Sequence, residues 1–140
     1  MTDANCIFCR IAKGEIPCAK IYEDDNVLAF LDLSPVHHGH TLVIPKNHYK
    51  DMLEVPAELG TAVFAALQKV AGAVMKATGA QGFNVMQNNG LAGGQTVFHI
   101  HWHIIPRFDN DGLEMWKQGS YADTEAMQNM AANVAACLAQ

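Results

Sequence analysis

Residues 97–105 read Val-Phe-His-Ile-His-Trp-His-Ile-Ile, and this stretch decides the fold class. Its β-branched and aromatic residues favour a strand, which we predict to end at Pro106. Alternate side chains of a strand share a face, so the three histidines should lie together: His99, His101 and His103. The intervening apolar residues should face the core: Phe98, Ile100, Trp102 and Ile104.

Three histidines in register favour chemistry over a solvated surface, because imidazole titrates near neutrality. In one hypothesis they hold a zinc ion with an open position, as in a metal hydrolase. In the other, one imidazole attacks phosphorus while its neighbours supply hydrogen bonds and a proton to the leaving group. The spacing alone does not choose between them.

The glycine-rich stretch at residues 88–96 leads directly into this strand. Glycines let backbone N–H groups approach an anion closely, and neutral hydrogen-bonding groups are added by Asn88, Gln95 and Thr96. An ordinary turn would also use glycines. Beside three histidines, the stretch favours a phosphate cradle.

The remaining pattern predicts an α+β fold with a mainly antiparallel five-stranded sheet. The other strands are expected at 19–23, 27–32, 41–45 and 83–87, after a short helical turn at 7–13. A long helix over 56–77 has one apolar stripe and a stop at Gly79. Asp123 can cap a C-terminal helix. That helix should bury four apolar residues: Met127, Met130, Val134 and Leu138.

Composition bounds the class of protein. The chain has 140 residues, half of them hydrophobic, and a net charge of -5, which suits a single domain over residues 1–140. No Lys/Arg run is present, which argues against a nucleic-acid partner held by phosphate neutralisation. Without a long apolar run or a secretory signal, we expect a cytoplasmic protein with no membrane partner.

The four cysteines divide into a close pair and two isolated thiols. Without an export signal, Cys6 and Cys9 are better interpreted as a metal or redox element than as part of a disulfide framework. Cys18 and Cys137 are interpreted as plain thiols.

The sequence resembles the histidine-triad (HIT) family along nearly its whole length. The triad signature is His99-Ile100-His101-Trp102-His103-Ile104-Ile105. Further matching segments are Cys6-Ile7-Phe8-Cys9, Ile21-Tyr22-Glu23-Asp24, Ala29-Phe30-Leu31-Asp32, Gly39-His40-Thr41-Leu42-Val43-Ile44-Pro45-Lys46 and Gly94-Gln95-Thr96-Val97. Several ordered motifs together are more specific than the triad alone.

The resemblance implies a homodimer with one continuous sheet, two nucleotide sites and a covalent nucleotidyl-histidine. By it, His101 is the nucleophile, and His103 contacts the phosphate and assists the leaving group. The positions matching phosphate-binding groups are Gln95 and Thr96. Asp32 matches a residue that binds the ribose, whose hydroxyl groups can donate hydrogen bonds to a carboxylate. His40 matches a further histidine of the site. We expect His37 and His38 to be surface residues of a loop.

The resemblance to the microbial branch also implies a structural zinc site. Its ligands would be Cys6, Cys9, His48 and His99, a closed tetrahedral set that activates no water. No organic cofactor is expected. The metal would then bind His99, the first histidine of the triad, and His101 would remain free to act as the nucleophile.

The resulting hypothesis is an enzyme that cleaves a bond to the α-phosphate of a purine nucleotide, with phosphoramidates as the substrate class. Thr96 and the ending Ile105-Pro106-Arg107 also resemble the dinucleoside-polyphosphate hydrolases of the family, and Trp102 is bulkier than is usual at its position. A dinucleoside-polyphosphate hydrolase and a nucleotide-binding adaptor with little turnover are therefore the alternatives.

Overall fold

A computed structural model describes residues 1–138. The strands are β1 (Lys20–Glu23), β2 (Val27–Leu31), β3 (Thr41–Pro45), β4 (Gly82–Gln87) and β5 (Trp102–Arg107), and the helices are α1 (Ile7–Ala12), α2 (Gly60–Thr78) and α3 (Thr124–Leu138). The strands form one antiparallel sheet in the order β1-β2-β3-β5-β4. The predicted α+β class is confirmed.

The β1–β2 hairpin follows from its turn residues. The carboxylate of Asp24 accepts hydrogen bonds from the backbone N–H groups of Asn26 and Val27, both at 2.8 Å. An aspartate that binds the backbone two residues ahead is a common way of fixing a tight turn. The hairpin then places β2 directly beside β3 with all five residues in register.

Helix α2 covers one face of the sheet. It is preceded by a 3₁₀ turn over Ala57–Leu59 and ends at Gly79, whose φ of 69° suits glycine. Its buried residues are Val63, Ala66, Val70, Ala71 and Val74, and they pack on Val27, Ala29, Val43 and Ile104. The predicted stripe is therefore the one that meets the sheet, although Leu59 and Leu67 are only partly buried at its margin.

Helix α1 covers part of the opposite face. Phe8 packs there with four sheet residues: Leu28, Phe30, Leu42 and Ile44. The sheet is thus sandwiched between a long helix and a short one. The triad histidines lie on the side of the short helix, since the rings of His99 and His101 both contact Phe8.

The predicted strand over 97–105 is wrong at both ends. Residues 97–101 are irregular, and the Ile100 N–H donates to the Tyr49 carbonyl at 2.7 Å instead of joining the ladder. Pro106 lies inside β5. It is tolerated because β3 pairs only with the first half of β5, so the strand has a single neighbour at that point.

The predicted division into a histidine face and a core face holds only in part. His99 and His101 are buried, whereas Phe98, predicted to face the core, is substantially exposed. Ile100 and Ile104 are fully buried as expected. Alternation fails at Phe98 because this residue precedes the strand.

Helix α3 forms as predicted, and Asp123 accepts a hydrogen bond from the Ala126 N–H at 2.8 Å. The predicted burial of its apolar stripe is wrong. Met127, Met130, Val134 and Leu138 are 44 to 82% exposed. Periodicity and capping define a helix and its apolar face, but they do not state what that face contacts.

Strand β4 lies at an edge of the sheet, with β5 on one side and no strand of residues 1–138 on the other. Strand β1 forms the other edge. The continuation of the sheet across a dimer stays a prediction. No helix within residues 1–138 has the length and apolarity of a membrane span.

Candidate active site and metal centre

The hydrogen bonding of His101 defines which of its nitrogens can react. Its Nδ1 lies 2.8 Å from the carbonyl oxygen of His99, so Nδ1–H is the donor and Nε2 carries the lone pair. Burial lowers the pKa of His101, opposed by the hydrogen bond to His99 and by the charge of Asp32. The ring is therefore neutral near pH 7, the form in which imidazole is a nucleophile.

His101 lines a pocket of about 290 Å³ on the α1 side of the sheet. Most of the lining is apolar and includes Phe8, Ile11, Phe30 and Leu42. The imidazole, hydroxyl and carboxylate side chains of the lining are Asp32, Thr96, His101 and His103. An apolar pocket with a few convergent polar groups is the usual form of a small-molecule site.

His40 orients His103 from behind. The Nδ1 of His40 accepts from the Val36 N–H at 3.1 Å, so its Nε2–H donates to Nδ1 of His103 at 2.9 Å. His103 then carries its proton on Nε2. Burial lowers the pKa of both residues, to about 4 for His103. With ring centroids 5.0 Å apart, His103 and His101 can contact the same ligand.

Asp32 follows β2 at the rim of the pocket. One of its oxygens accepts from the Ser34 N–H at 2.8 Å, and the other lies 3.6 Å from Nε2 of His40. The carboxylate is partly exposed, so it retains lone pairs for a ligand. Its negative charge also acts on His40, His101 and His103, raising the pKa of each against the effect of burial.

Gln95 is buried beneath the glycine-rich loop and does not line the pocket. Its Oε1 accepts from the Gly90 N–H at 2.8 Å, and its Nε2 donates to the carbonyls of Lys50 and Val97 at 2.7 and 3.1 Å. The side chain thus fixes the shape of the loop. Its predicted contact with phosphate, and its catalytic part, stay predictions.

The predicted ligand Asn88 also lies apart from the pocket, in a groove beside β4 together with Asn84 and Trp116. The structure therefore brings together Asp32, His40, Thr96, His101 and His103, but neither Gln95 nor Asn88 lines the same cavity. A role for Asn88 in substrate binding stays a prediction.

A second cluster adjoins the pocket and consists of two thiols and two imidazoles. The ligand atoms of Cys6, Cys9, His48 and His99 all lie within 4.8 Å of one another. The Sγ···Nδ1 distances are 3.4 Å for Cys6–His99, 3.4 Å for Cys9–His48 and 3.5 Å for Cys9–His99. Tetrahedral zinc with ordinary bond lengths puts sulfur and nitrogen ligands about 3.5 Å apart, so the four residues fit this metal.

The surroundings of this cluster also suit a metal. The Nε2–H of His99 donates to the Pro45 carbonyl at 2.8 Å, which leaves Nδ1 as the free nitrogen facing the thiols. Burial raises the pKa of the Cys9 thiol, with Cys6 acting in the same direction and the Asp3 N–H in the opposite one. A bound cation would displace that proton. These residues can therefore hold zinc.

Comparison with known proteins decides the family. The HIT domain model matches residues 13–110, well over half of the chain. The chain belongs to the HIT family. Protein hit of Bacillus subtilis is 48% identical over 140 residues, covering 96% of this HIT protein and 95% of the relative.

Two relatives have names that state an activity. Adenylylsulfatase HINT3 of Arabidopsis thaliana is 48% identical over 78% of this HIT protein, which spans 55% of the relative. Adenosine 5'-monophosphoramidase hnt1 of Schizosaccharomyces pombe is 47% identical and 74% of each chain is covered.

Solved structures agree with the fold, and one of them holds zinc. A HIT protein from Bacillus subtilis matches with a TM-score of 0.87 at 47% identity, over 94% of this HIT protein and 95% of that chain. A zinc-bound histidine triad protein from Mycobacterium smegmatis matches with a TM-score of 0.75 at 37% identity, over 95% and 97%.

Two features were missed from the sequence, one in the site and one outside it. Phe8 packs against His101, and only its place between two cysteines could have suggested this. His37, expected on a loop surface, is half-buried and lies 3.2 Å from Asp111, which also accepts two hydrogen bonds from Arg107. The four-residue spacing of Arg107 and Asp111 was the available signal.

Proposed function

We propose that this HIT protein is a nucleotide hydrolase that cleaves a bond to the α-phosphate of a purine nucleotide, with phosphoramidates as its substrate class. One observation carries the proposal. A neutral histidine, His101, lines a pocket with its lone-pair nitrogen available, and a second histidine, His103, presents an N–H beside it. The names of two relatives, an adenylylsulfatase and an adenosine 5'-monophosphoramidase, support the class of reaction.

In the proposed first step, the lone pair of His101 Nε2 forms a bond to the α-phosphorus. The bond from phosphorus to the amine breaks, and the amine leaves with the electron pair and a proton. A bound phosphate places negative charge beside His103 and favours its protonated form, provided that the Nε2–H of His40 turns from His103 to Asp32, whose oxygen lies 3.6 Å away; the Nε2–H of His103 can then supply that proton. In the second step, an oxygen of water forms a bond to phosphorus and the bond from phosphorus to Nε2 of His101 breaks, while His103 takes a proton from that water. The products are the nucleoside monophosphate and a free His101.

The pocket offers a place for each part of the nucleotide. Its apolar lining suits the base, and Asp32 at the rim can accept from both ribose hydroxyls. Thr96 lies on the same lining and can donate its hydroxyl to the phosphate. Gln95, held by backbone groups, would act by shaping the loop, and contacts of Gln95 or Asn88 with substrate would need the loop to rearrange.

The metal cluster would supply structure to this enzyme. Cys6, Cys9, His48 and His99 would hold zinc with four protein ligands, so the ion would anchor the chain and would not activate a nucleophile. No organic cofactor takes part in the proposed reaction. We further propose that the protein acts as a cytoplasmic homodimer and that neither nucleic acid nor a membrane is a partner.

The test compares hydrolysis of an adenosine phosphoramidate with hydrolysis of diadenosine tetraphosphate. We expect faster turnover of the phosphoramidate and a loss of at least about a thousandfold in kcat for His101→Ala. His38→Ala is the matched control, because His38 is an exposed histidine outside the pocket. Full activity of His101→Ala would overturn the assignment.

Other outcomes would favour the alternatives. Preference for diadenosine tetraphosphate would indicate a dinucleoside-polyphosphate hydrolase. This is the second candidate because Thr96 resembles the residue of that branch of the family. Tight binding of adenosine monophosphate without turnover of either compound would indicate an adaptor. An adenylylated His101, trapped by rapid acid-free quenching and detected by mass spectrometry, tests the covalent intermediate directly.

A further inference from the structure

Helix α1 lies between the metal cluster and the pocket, and it contributes to both. Cys6 immediately precedes the helix and Cys9 lies within it, so the metal ligands flank Phe8. Ile7, Phe8 and Ile11 line the pocket. One six-residue helix therefore joins two sites that the chain otherwise builds from separate strands and loops.

Phe8 makes the closest link between the two sites. Its ring stands edge-on to His101, with centroids 5.1 Å apart and an interplanar angle of 90°. It also contacts the ring of His99 at 5.8 Å and that of Phe30 at 5.7 Å. Aromatic edge-to-face contacts at these distances are directional, so the position of Phe8 restrains the ring plane of His101.

The attachment of α1 to the sheet depends on few groups. A helix of six residues is not stable alone in water, so contacts outside it must hold it. Apart from the packing of Phe8 and its apolar neighbours, the contacts that hold α1 to the rest of the protein lie at the metal cluster. There the thiols of Cys6 and Cys9 meet His48 and His99, and the Met1 carbonyl accepts from the His48 N–H at 2.7 Å.

A second link runs through His99 itself. Its imidazole is held by the Pro45 carbonyl on one nitrogen and faces the thiols with the other. Its carbonyl oxygen accepts the hydrogen bond that fixes the tautomer of His101. Because residues 97–101 lie outside the sheet ladder, their conformation depends on side-chain anchors such as these.

We propose that α1 is a metal-anchored wall of the nucleotide pocket and that Phe8 is a positioning residue for His101. Metal binding at Cys6 and Cys9 then sets nucleotide affinity and turnover from a distance, although no metal ligand touches the substrate. The effect on turnover rests on the proposed function. The anchoring of the wall does not.

The first experiment compares zinc-loaded protein with protein stripped by a chelator and then reloaded. Hydrogen exchange should become at least about tenfold faster at residues 7–12, while β2 and β3 stay protected. The Kd for adenosine monophosphate, measured by calorimetry, should rise at least about tenfold, and zinc should restore both values. Unchanged exchange at α1, or a freed α1 with unchanged nucleotide affinity, would overturn the proposal.

The second experiment keeps the metal and changes the wall. With full zinc content, Phe8→Ala should raise KM and lower kcat, each by about tenfold, through loss of the pocket cover and of the edge contact. Phe8→Leu should recover KM but not kcat, because leucine restores apolar cover without an aromatic edge. Phe64→Ala is the matched control, since Phe64 lies on α2 and is 63% exposed.

The two experiments separate the possible failures. If stripping zinc unfolds the sheet, the Phe8 variants decide the proposal, and kinetics like those of Phe64→Ala would refute it. If the native protein neither binds adenosine monophosphate nor hydrolyses a phosphoramidate, the proposed function fails. Hydrogen exchange at 7–12 would still decide whether the metal anchors α1.

Discussion

Gly39 occupies a position that only glycine fits, directly before His40. Its φ is 101°, a conformation that L side chains rarely adopt. A Cβ added there would lie 2.7 Å from Cγ2 of Thr78, 3.5 Å from Pro106 and 3.6 Å from Val74. We therefore expect Gly39→Ala to combine backbone strain with a steric clash against the end of α2.

The size of the loss follows from these two terms. The strained φ costs about 1–3 kcal/mol and overpacking costs about 1–3 kcal/mol, whereas the reduced freedom of the unfolded chain returns about 0.5–1 kcal/mol. The free energy of unfolding should fall by about 1–5.5 kcal/mol. Urea titrations of the two zinc-loaded proteins, followed by far-UV circular dichroism, measure this difference.

A second substitution separates strain from clash. Thr78→Ser removes the methyl group at 2.7 Å and keeps the hydroxyl, which donates to the Val74 carbonyl. Added to Gly39→Ala, it should recover only the clash, about 1–3 kcal/mol. Gly72→Ala is the control, since Gly72 lies in open space on α2 and should gain about 0.5–1 kcal/mol. A loss below about 1 kcal/mol for Gly39→Ala would refute the reasoning.

Three further predictions concern the two sites. Burial lowers the pKa of His103 to about 4, so on acidification this histidine takes up its proton in the unfolded chain before it does so in the folded protein. The free energy of unfolding should therefore fall by up to about 3 kcal/mol as the pH drops from about 6.5 to about 4. In urea titrations, His103→Gln should reduce this dependence on pH. Asp32→Asn should weaken adenosine monophosphate about tenfold but leave its 2′,3′-dideoxy analogue unchanged in calorimetry, and equal losses for both would refute contact with the ribose. Cys9→Ser should lose bound zinc, measured by elemental analysis, while Cys137→Ser keeps it.

Much of the fold could be predicted because local signals specified it. The Asp24 turn, the apolar stripe of α2 and its glycine stop each depend on residues close together in sequence. The candidate metal ligands also came together as expected, although they derive from three separate parts of the chain. Here the prediction rested on family resemblance, since spacing alone left the metal and nucleophile hypotheses open.

The errors all concern contacts between distant residues. Nothing near His99 states that residues 97–101 bond to the loop at Tyr49 instead of joining the ladder. The stripe of α3 predicted a buried face, yet burial depends on a neighbouring surface that periodicity does not specify. The contact between Phe8 and His101 likewise arises only when α1 folds over the sheet.

The strand order has a consequence for the time course of folding. β1, β2 and β3 pair with neighbours in sequence, but β5 must enter between β3 and β4 after the long connection through α2. Bringing together strands that are far apart in sequence is slow, so we expect the pairing of β3 with β5 to form late. Ile104→Val should then speed unfolding and leave the folding rate nearly unchanged in stopped-flow measurements, and a slower folding rate would contradict this order. His40 meets His103, and the Pro45 carbonyl meets His99, only once β3 and β5 have paired, so we expect a nascent chain to complete its site at a late step of folding.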